Sequence, residues 1–349
     1  MNKPVVFMDY HQTDLAYSLR LLFEKRLGGT CLRPIGMEWW ENKLWAIYDN
    51  PDTAEQYLGM RQGYQPKDGT LPLNNITDDF VGIYVCEDKH NNTWNKAITL
   101  ERFKEEKIDI VIASIPAHIK PFKELARMKN AKFIFQQGNM FTEVLTNLHE
   151  IPNLLSSTIE FPVPPTCNAV FYHQEFDLDI FKPSSLPPEK QITSFINVYH
   201  ENKGFDDYMM LKSMMPDYDF KSYGGQCQDG SVGTTAEIAS IMQKSAYGFH
   251  VKRMGDGFGH ILYNWFACGK PIITRISDYK GKLGEELLTD METCIDLDTH
   301  SLNDIPNILQ NIFPEQYKWM CQQTYNRFKE KVNFEKEKLL LDKWLNNLI

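Results

Sequence analysis

Glycines at 255, 257 and 259 bracket Asp256 and Phe258, directly after Lys252 and Arg253 and shortly before an apolar run from Ile261 to Cys268. Tyr247 to Val251 reads as a short buried strand, and Ile261 to Cys268 as a helix closed by Gly269. The glycines therefore fall in a strand-to-helix turn. At a helix start the N–H groups lack partners and the helix dipole favours negative charge. Residues without side chains let a ligand reach that backbone. The chemistry such a turn serves is phosphate binding. Lys270-Pro271 then leads into a second apolar run at Ile272 and Ile273, which completes a strand–helix–strand unit.

Further polar residues stand where strands of the first half should end. Asp9, His11 and Asp14 follow the strand Val5 to Met8, and His118 follows the strand Ile108 to Ser114 and its exit turn at Pro116. Ligands of parallel α/β sheets sit beyond the carboxyl ends of the strands, so these residues are candidates to face one. Any of Asp9, His11 and Asp14 can serve as a general base. Each has a plainer reading. A single histidine is more often a packed residue, and an acid at a helix start, such as Asp256, suits the dipole without any ligand. Lysines and arginines such as Lys203 and Arg253 are usually solvated, although both adjoin glycine turns at strand ends. His260 lies inside the motif helix and reads equally as a phosphate or sugar contact and as a packed helix residue.

The elements that must position these groups alternate in type. Leu15 to Leu27, Leu100 to Lys107 and Lys120 to Met128 read as helices, with strands at Phe80 to Val85 and Ala131 to Gln136. The second half repeats the order. A strand from Ile192 to Tyr199 precedes Lys203-Gly204, and a helix from Phe205 to Met215 precedes a strand from Tyr218 to Tyr223 that ends at Gly224-Gly225. Thr234-Thr235 then cap a helix with Glu237 in its first turn. Alternation of this kind implies parallel sheets and an α/β fold. The segment 36–79 breaks it: aromatic, aperiodic and punctuated by Gly and Pro, it reads as an insertion covering a cleft. Proline-rich stretches at 161–165 and 182–188 read as linker around a short segment, 168–181. They place a domain boundary at 187/188. Residues 188–330 form the second domain, and 331–349 a terminal helix that packs back on the first.

Composition narrows the function classes. Net charge is −9, which argues against general affinity for nucleic acid or acidic membranes. The cysteine count is 7, an odd number without a CxxC pair, so reduced thiols and a cytoplasmic location are expected. No run reaches ~18 apolar residues and no signal peptide is evident.

The frame GDGFGHILYNWFACGKPII, Gly255 to Ile273, resembles the motif (S/P)-E-G-F-G-x4-E-A-M-A-C-G-K-P-V-I of the retaining, family-4-like GT-B glycosyltransferases. That resemblance is specific over 192–297 and architectural before it. It implies two Rossmann-like domains with parallel sheets facing across a cleft, the second holding a nucleotide-diphosphate sugar, UDP- or GDP-linked. In the family an E-x7-E pair faces the donor. It maps onto Asp256 and Asn264, a shorter carboxylate and an amide that both donates and accepts. The family's R-x4-K-G frame ends on Lys203-Gly204, with Val198 at its Arg position. Lys252 and Arg253 are the replacement cations, Gly224-Gly225 the turn under the base, and His118 the histidine near the donor sugar. Gly257, Phe258, Gly259 and His260 complete the donor loop.

The implied activity is transfer of a hexosyl or pentosyl group to a hydroxyl of a saccharide or lipid, with a modified DNA base as a further candidate. The motif frame tilts the mechanism to retention. Backbone N–H groups and cations stabilise the leaving diphosphate, without a metal or other cofactor. A nucleotide-sugar epimerase of the same fold and a non-catalytic nucleotide or glycan binder are the alternatives.

Overall fold

The computed structural model describes residues 3–9, 13–34, 83–87, 94–98, 100–138, 148–158, 163–196, 204–252 and 256–348. The 36–79 segment, His11, Lys203 and Arg253 lie outside them, as does the side chain of Asp14. Contacts divide the chain into two units. The first is Met1–Phe176 with Phe334–Ile349, and the second is Asp177–Asn333.

The first unit is built on an eight-stranded sheet. Its strands are β1 (Val5–Met8), β2 (Thr30–Pro34), β3 (Ile83–Glu87), β4 (Trp94–Ile98), β5 (Ile110–Ala113), β6 (Lys132–Gln137), β7 (Asn153–Ser156) and β8 (Asn168–Phe171). Their order is β3-β4-β2-β1-β5-β6-β7-β8. All pairings are parallel except β3 with β4, which is antiparallel and puts a reversed strand at one edge. The helices are α1 (Thr13–Arg20), continued by π-helical turns over Leu21–Arg26, then α2 (Leu100–Glu105) and α3 (Ile119–Lys129).

Apolar cores cover both faces of this sheet, as parallel sheets require. The side-chain alternation of the strands sorts them. Phe7, Val111 and Phe135 pack with Phe122 and Leu125 of α3 on one face. Val6, Met8, Ile112 and Ile134 pack with Leu19 and Phe23 on the other. The last helix, α9 (Phe334–Leu345), joins this second face through Leu341, Trp344 and Leu345. The Trp344 indole N–H donates to the Asn168 carbonyl at 3.0 Å. His173 donates its backbone N–H to Glu337 at 2.7 Å, and its ring lies 2.9 Å from the same carboxylate. Sequence reasoning found neither β7 nor β8 and read 168–181 as a short segment between two proline-rich linker stretches. Both strands have only four residues, and prolines surround β8.

The second unit carries a five-stranded parallel sheet in the order β10-β9-β11-β12-β13. The strands are β9 (Glu189–Ser194), β10 (Asp219–Ser222), β11 (Ser245–Phe249), β12 (Ile272–Thr274) and β13 (Cys294–Asp296). The helices are α4 (Gly204–Met214), α5 (Thr235–Lys244), α6 (His260–Ala267), α7 (Ile305–Asn311) and α8 (Pro314–Lys331). Thr234 caps α5 in a full capping box: its hydroxyl accepts from the Glu237 N–H at 3.2 Å, and the Glu237 carboxylate accepts from the Thr234 N–H at 2.9 Å. Ile192, Phe249, Ile273 and Ile295 line the core with Tyr208 and Leu211 of α4. Chain order turns back between β9 and β11: after β9 the chain adds β10 on one side, then β11 on the other. This is the topological switch point, where parallel α/β sheets open a crevice at the carboxyl ends of their strands.

Among the described residues no helix is long and apolar enough to cross a membrane. Cys31, Cys167, Cys227, Cys268, Cys294 and Cys321 are all free thiols. Trp344 is buried and hydrogen-bonded, so Trp344→Ala is expected to cost about 3–5 kcal/mol of unfolding free energy, on the scale of other buried aromatic truncations. Urea denaturation measures it, and a loss under ~1 kcal/mol would show that α9 contributes little to the first unit.

Candidate functional site

At the switch point of the second unit the start of α4 meets the residue that follows β11 by two. A β-carbon on Gly204, which opens α4, would stand 2.3 Å from the Val251 carbonyl oxygen and collide with backbone. The α4 start and the β11 exit are thereby packed against each other.

The β11 exit holds a cluster of charge. His250 and Lys252 are two residues apart, on either side of buried Val251, and both reach Asp256. His250 Nε2 lies 2.8 Å from Asp256 Oδ2, and the Lys252 ammonium pairs with Oδ1. The Asp256 side chain is 11% exposed. Burial alone would raise its pKa. The hydrogen bond with His250 and the charge of Lys252 outweigh burial and hold the carboxyl well below the usual aspartate range. His250 is held in turn: its N–H donates to Ile273 at 2.9 Å and its carbonyl accepts from the Thr274 hydroxyl at 2.6 Å. Sequence reasoning passed over His250. The signal was the spacing, a histidine and a lysine at i and i+2 leaving a strand with an acid four residues beyond the lysine.

Gly259 is the N-cap of α6 with a φ of 71°, a left-handed conformation that favours glycine. A β-carbon there would stand 3.0 Å from that of Asp256. No side chain caps the helix. Phe258 is buried and stacked on Tyr263 at 4.3 Å, which anchors the loop between Gly257 and Gly259. The His260 ring meets the Phe258 edge at 5.0 Å. Asn264 lies one helical turn on from His260, is 7% exposed, and its Oδ1 has no hydrogen-bond partner among the described residues. A buried carbonyl oxygen without a donor is costly and marks a place for one.

Beside this loop the carboxyl ends of β9 and β10 carry aromatic rings. Phe195 stacks on Tyr223 at 5.5 Å and lies 6.0 Å from Trp265 of α6. Gly224 and Gly225 follow Tyr223 into a loop, where the Gly224 N–H donates to the Gly230 carbonyl at 2.8 Å.

In the first unit the switch point lies between β1 and β5, and it holds Asp9 and His118. His118 Nδ1 is 2.8 Å from Asp9 Oδ2, which also accepts the Ser114 N–H at 2.7 Å and the Ile115 N–H at 3.3 Å. The His118 ring is 0% exposed and stacks on Phe122 at 5.6 Å. The structure thus brings Asp9 and His118 together as a buried pair. In the second unit it brings together Lys252, Asp256, Gly257, Phe258, Gly259, His260 and Asn264. Among the described residues no cluster of three or more His, Cys, Asp and Glu side chains is arranged to hold a metal ion.

The depressed Asp256 pKa has a sign that can be checked. A carboxyl ionised more readily in the folded chain adds stability at neutral pH and loses it as the solution is acidified through the folded pKa. Urea midpoints should therefore fall more steeply for the wild type than for Asp256→Asn between about pH 5 and pH 2. Parallel curves would show that the His250–Asp256–Lys252 cluster adds nothing to folding. No protein-family model matches the chain, and no curated protein sequence does. Solved structures do resemble it. Sucrose-phosphate synthase from Thermosynechococcus elongatus superposes with a TM-score of 0.63 at 12% identity, covering 99% of this chain and 98% of that one. Anabaena HepE, solved with UDP and glucose, gives 0.63 at 11%, covering 99% and 100%. A glycosyltransferase from Rickettsia africae gives 0.61 at 13%, again covering 99% and 100%. With two units of parallel α/β architecture and these neighbours over its whole length, the chain has the GT-B fold.

Proposed function

We propose that the protein is a glycosyltransferase that takes a sugar from a nucleotide-diphosphate donor, UDP-linked in the first instance, and passes it to an acceptor hydroxyl. The observation that carries this reading is the uncapped α6 N-terminus behind a left-handed glycine, with Lys252 beside it, at the switch point of the second unit. A diphosphate fits this geometry: backbone N–H groups, the positive end of the helix dipole and a flexible ammonium. The stacked pair Phe195–Tyr223 beside Gly224-Gly225 offers an aromatic face to a nucleotide base. Asn264 Oδ1 is an acceptor for a sugar or ribose hydroxyl. HepE and the α-glucosyltransferase AGT, solved with UDP, are further support for a uridine nucleotide.

In the reaction the bond between the anomeric carbon and the diphosphate oxygen breaks, the acceptor oxygen forms a new bond to that carbon, and the acceptor proton must leave. Inversion needs a side chain to take that proton. Asp9 is tied by three donors and buried, and His118 is wholly buried, so neither offers a free base at the surface of the first unit. Retention, with the leaving phosphate as base, follows the motif frame; the other candidate bases, His11 and the Asp14 side chain, lie outside the described residues. Charge on the diphosphate is met by the α6 N–H groups, Lys252, Arg253 and Lys203. The acceptor is a saccharide or lipid hydroxyl, with a modified DNA base retained as a further candidate.

A panel of UDP- and GDP-sugars, followed by release of free nucleoside diphosphate with and without simple saccharides, tests the proposal. Release with one donor supports it. Epimerised donor without release assigns an epimerase, and binding without any turnover assigns a nucleotide-binding protein. The same assay is sharpened by Gly259→Ala, which needs a strained φ and pushes a methyl at Asp256. Its affinity for UDP should fall about tenfold or more, by calorimetry. Unchanged affinity would remove the α6 N-terminus from the donor site.

A further inference from the structure

We propose that Asp256 is a resident counter-anion of the phosphate site. It holds Lys252 while the site is free and yields it to the diphosphate of a bound nucleotide, and His250 keeps the carboxylate satisfied through the exchange. The inference rests on the donor-site reading above and assigns His250 as a positioning residue for it.

Exposure is distributed unevenly over the three side chains. His250 and Asp256 are 2% and 11% exposed, whereas Lys252 is 39% exposed. His250 is fixed by its backbone bonds to β12 and by its ring lying against Tyr279, at 6.4 Å between centroids. Asp256 is fixed by His250 and by the close backing of Gly259. Lys252, on a flexible four-carbon stem, is the partner free to turn. An ammonium does not distinguish a carboxylate from a phosphate by shape, so it goes to whichever anion carries more charge and costs it less solvation. Both anions lie within its sweep, because the Asp256 carboxylate stands beside Gly259, the α6 N-cap that would receive the phosphate: a β-carbon there would lie 3.4 Å from Asp256 Oδ2.

The exchange needs Asp256 to survive the loss of Lys252. A buried carboxylate stripped of its partners is strongly destabilised. The bond from His250 to Oδ2 remains when the ammonium leaves Oδ1. Among the described residues the other groups near the carboxylate include Tyr279, a buried phenol, and Lys282, whose ammonium donates to the Asp278 carbonyl at 2.7 Å and adds positive charge nearby. A second polar atom waits on the same side: Asn264 Oδ1, buried and without a donor among the described residues, one turn along the helix whose start is the phosphate seat. The free site therefore has its cation masked by an internal acid, which gives it little pull on stray anions and lets a ligand unmask the cation by displacing that acid.

Direct titration of the full chain with UDP, by calorimetry, decides the matter. Asp256→Asn leaves Lys252 without a competing anion, so UDP should bind about three- to tenfold more tightly than to the wild type. Lys252→Met should weaken UDP binding about tenfold, and adding Asp256→Asn to it should give no further gain, because the coupling runs through the lysine. His250→Phe leaves Lys252 as the main partner of Asp256 and should weaken UDP binding, while His250→Gln, which restores a donor near Nε2, should recover it. A merely structural histidine would not show that rescue. If His250→Phe fails to fold, the Asp256–Lys252 cycle still decides. Weaker or unchanged UDP binding by Asp256→Asn overturns the exchange, as does an equal gain in the Lys252→Met background. Failure of the wild type to bind any nucleoside diphosphate overturns the donor-site reading, and this inference with it.

Discussion

A carboxylate removed from water must find donors, and the glycine-containing stretch between β11 and α6 is arranged around that need at Asp256. Without His250 and Lys252 the loop would carry a buried, unpaired charge, which proteins rarely tolerate. With them, Asp256 becomes the point through which β11, the glycine turn and the start of α6 are tied together. The left-handed turn at Gly259 follows from it. The chain must reverse sharply beside the acid in order to enter the helix, and a residue with a β-carbon would crowd the acid. The lack of a side-chain cap on α6 goes with the same turn, which puts Gly259 at the N-cap position.

The rest of the second unit supplies the platform. Ile192, Phe249 and Ile273 are fully buried, which fixes the height at which the strands end. Because β9 and β11 are neighbours while β10 lies on the far side of β9, the carboxyl ends of β9 and β11 stand side by side at the switch point. Gly204 packs the α4 start against the β11 exit. Function here depends on where the chain order turns back, and that is a property of the sheet as a whole.

How much of this was legible in the sequence depended on how local each feature was. The glycine turn, the strand before it and the helix after it were readable because period, caps and glycines agree within one window of the chain. The capping box at Thr234 and Glu237 was readable for the same reason. β7 and β8 were not: four-residue strands amid prolines carry too little pattern, and their pairing with β6 is a tertiary choice. His250 was missed because its partner had been assigned to a ligand. The resemblance directed Asp256 outwards to a sugar, whereas the folded chain turns both its oxygens to its own residues.

The two units invite comparison, since each ends a central strand near a carboxylate at its switch point. Asp9 follows β1 and Asp256 lies in the loop after β11. Their partners separate them. One oxygen of Asp9 takes two backbone N–H groups and a wholly buried histidine, all fixed by the fold. None of these can leave without unfolding the turn after β5, so that pair welds β1 to β5. Asp256 has one buried partner, His250, and one partly exposed partner, Lys252, on a long unbranched stem. A carboxylate with only fixed partners is part of the scaffold, while one with a detachable cation can take part in binding. By that criterion the Asp9–His118 pair belongs to the framework of the first unit, and the chemistry of the charged loop belongs to the second.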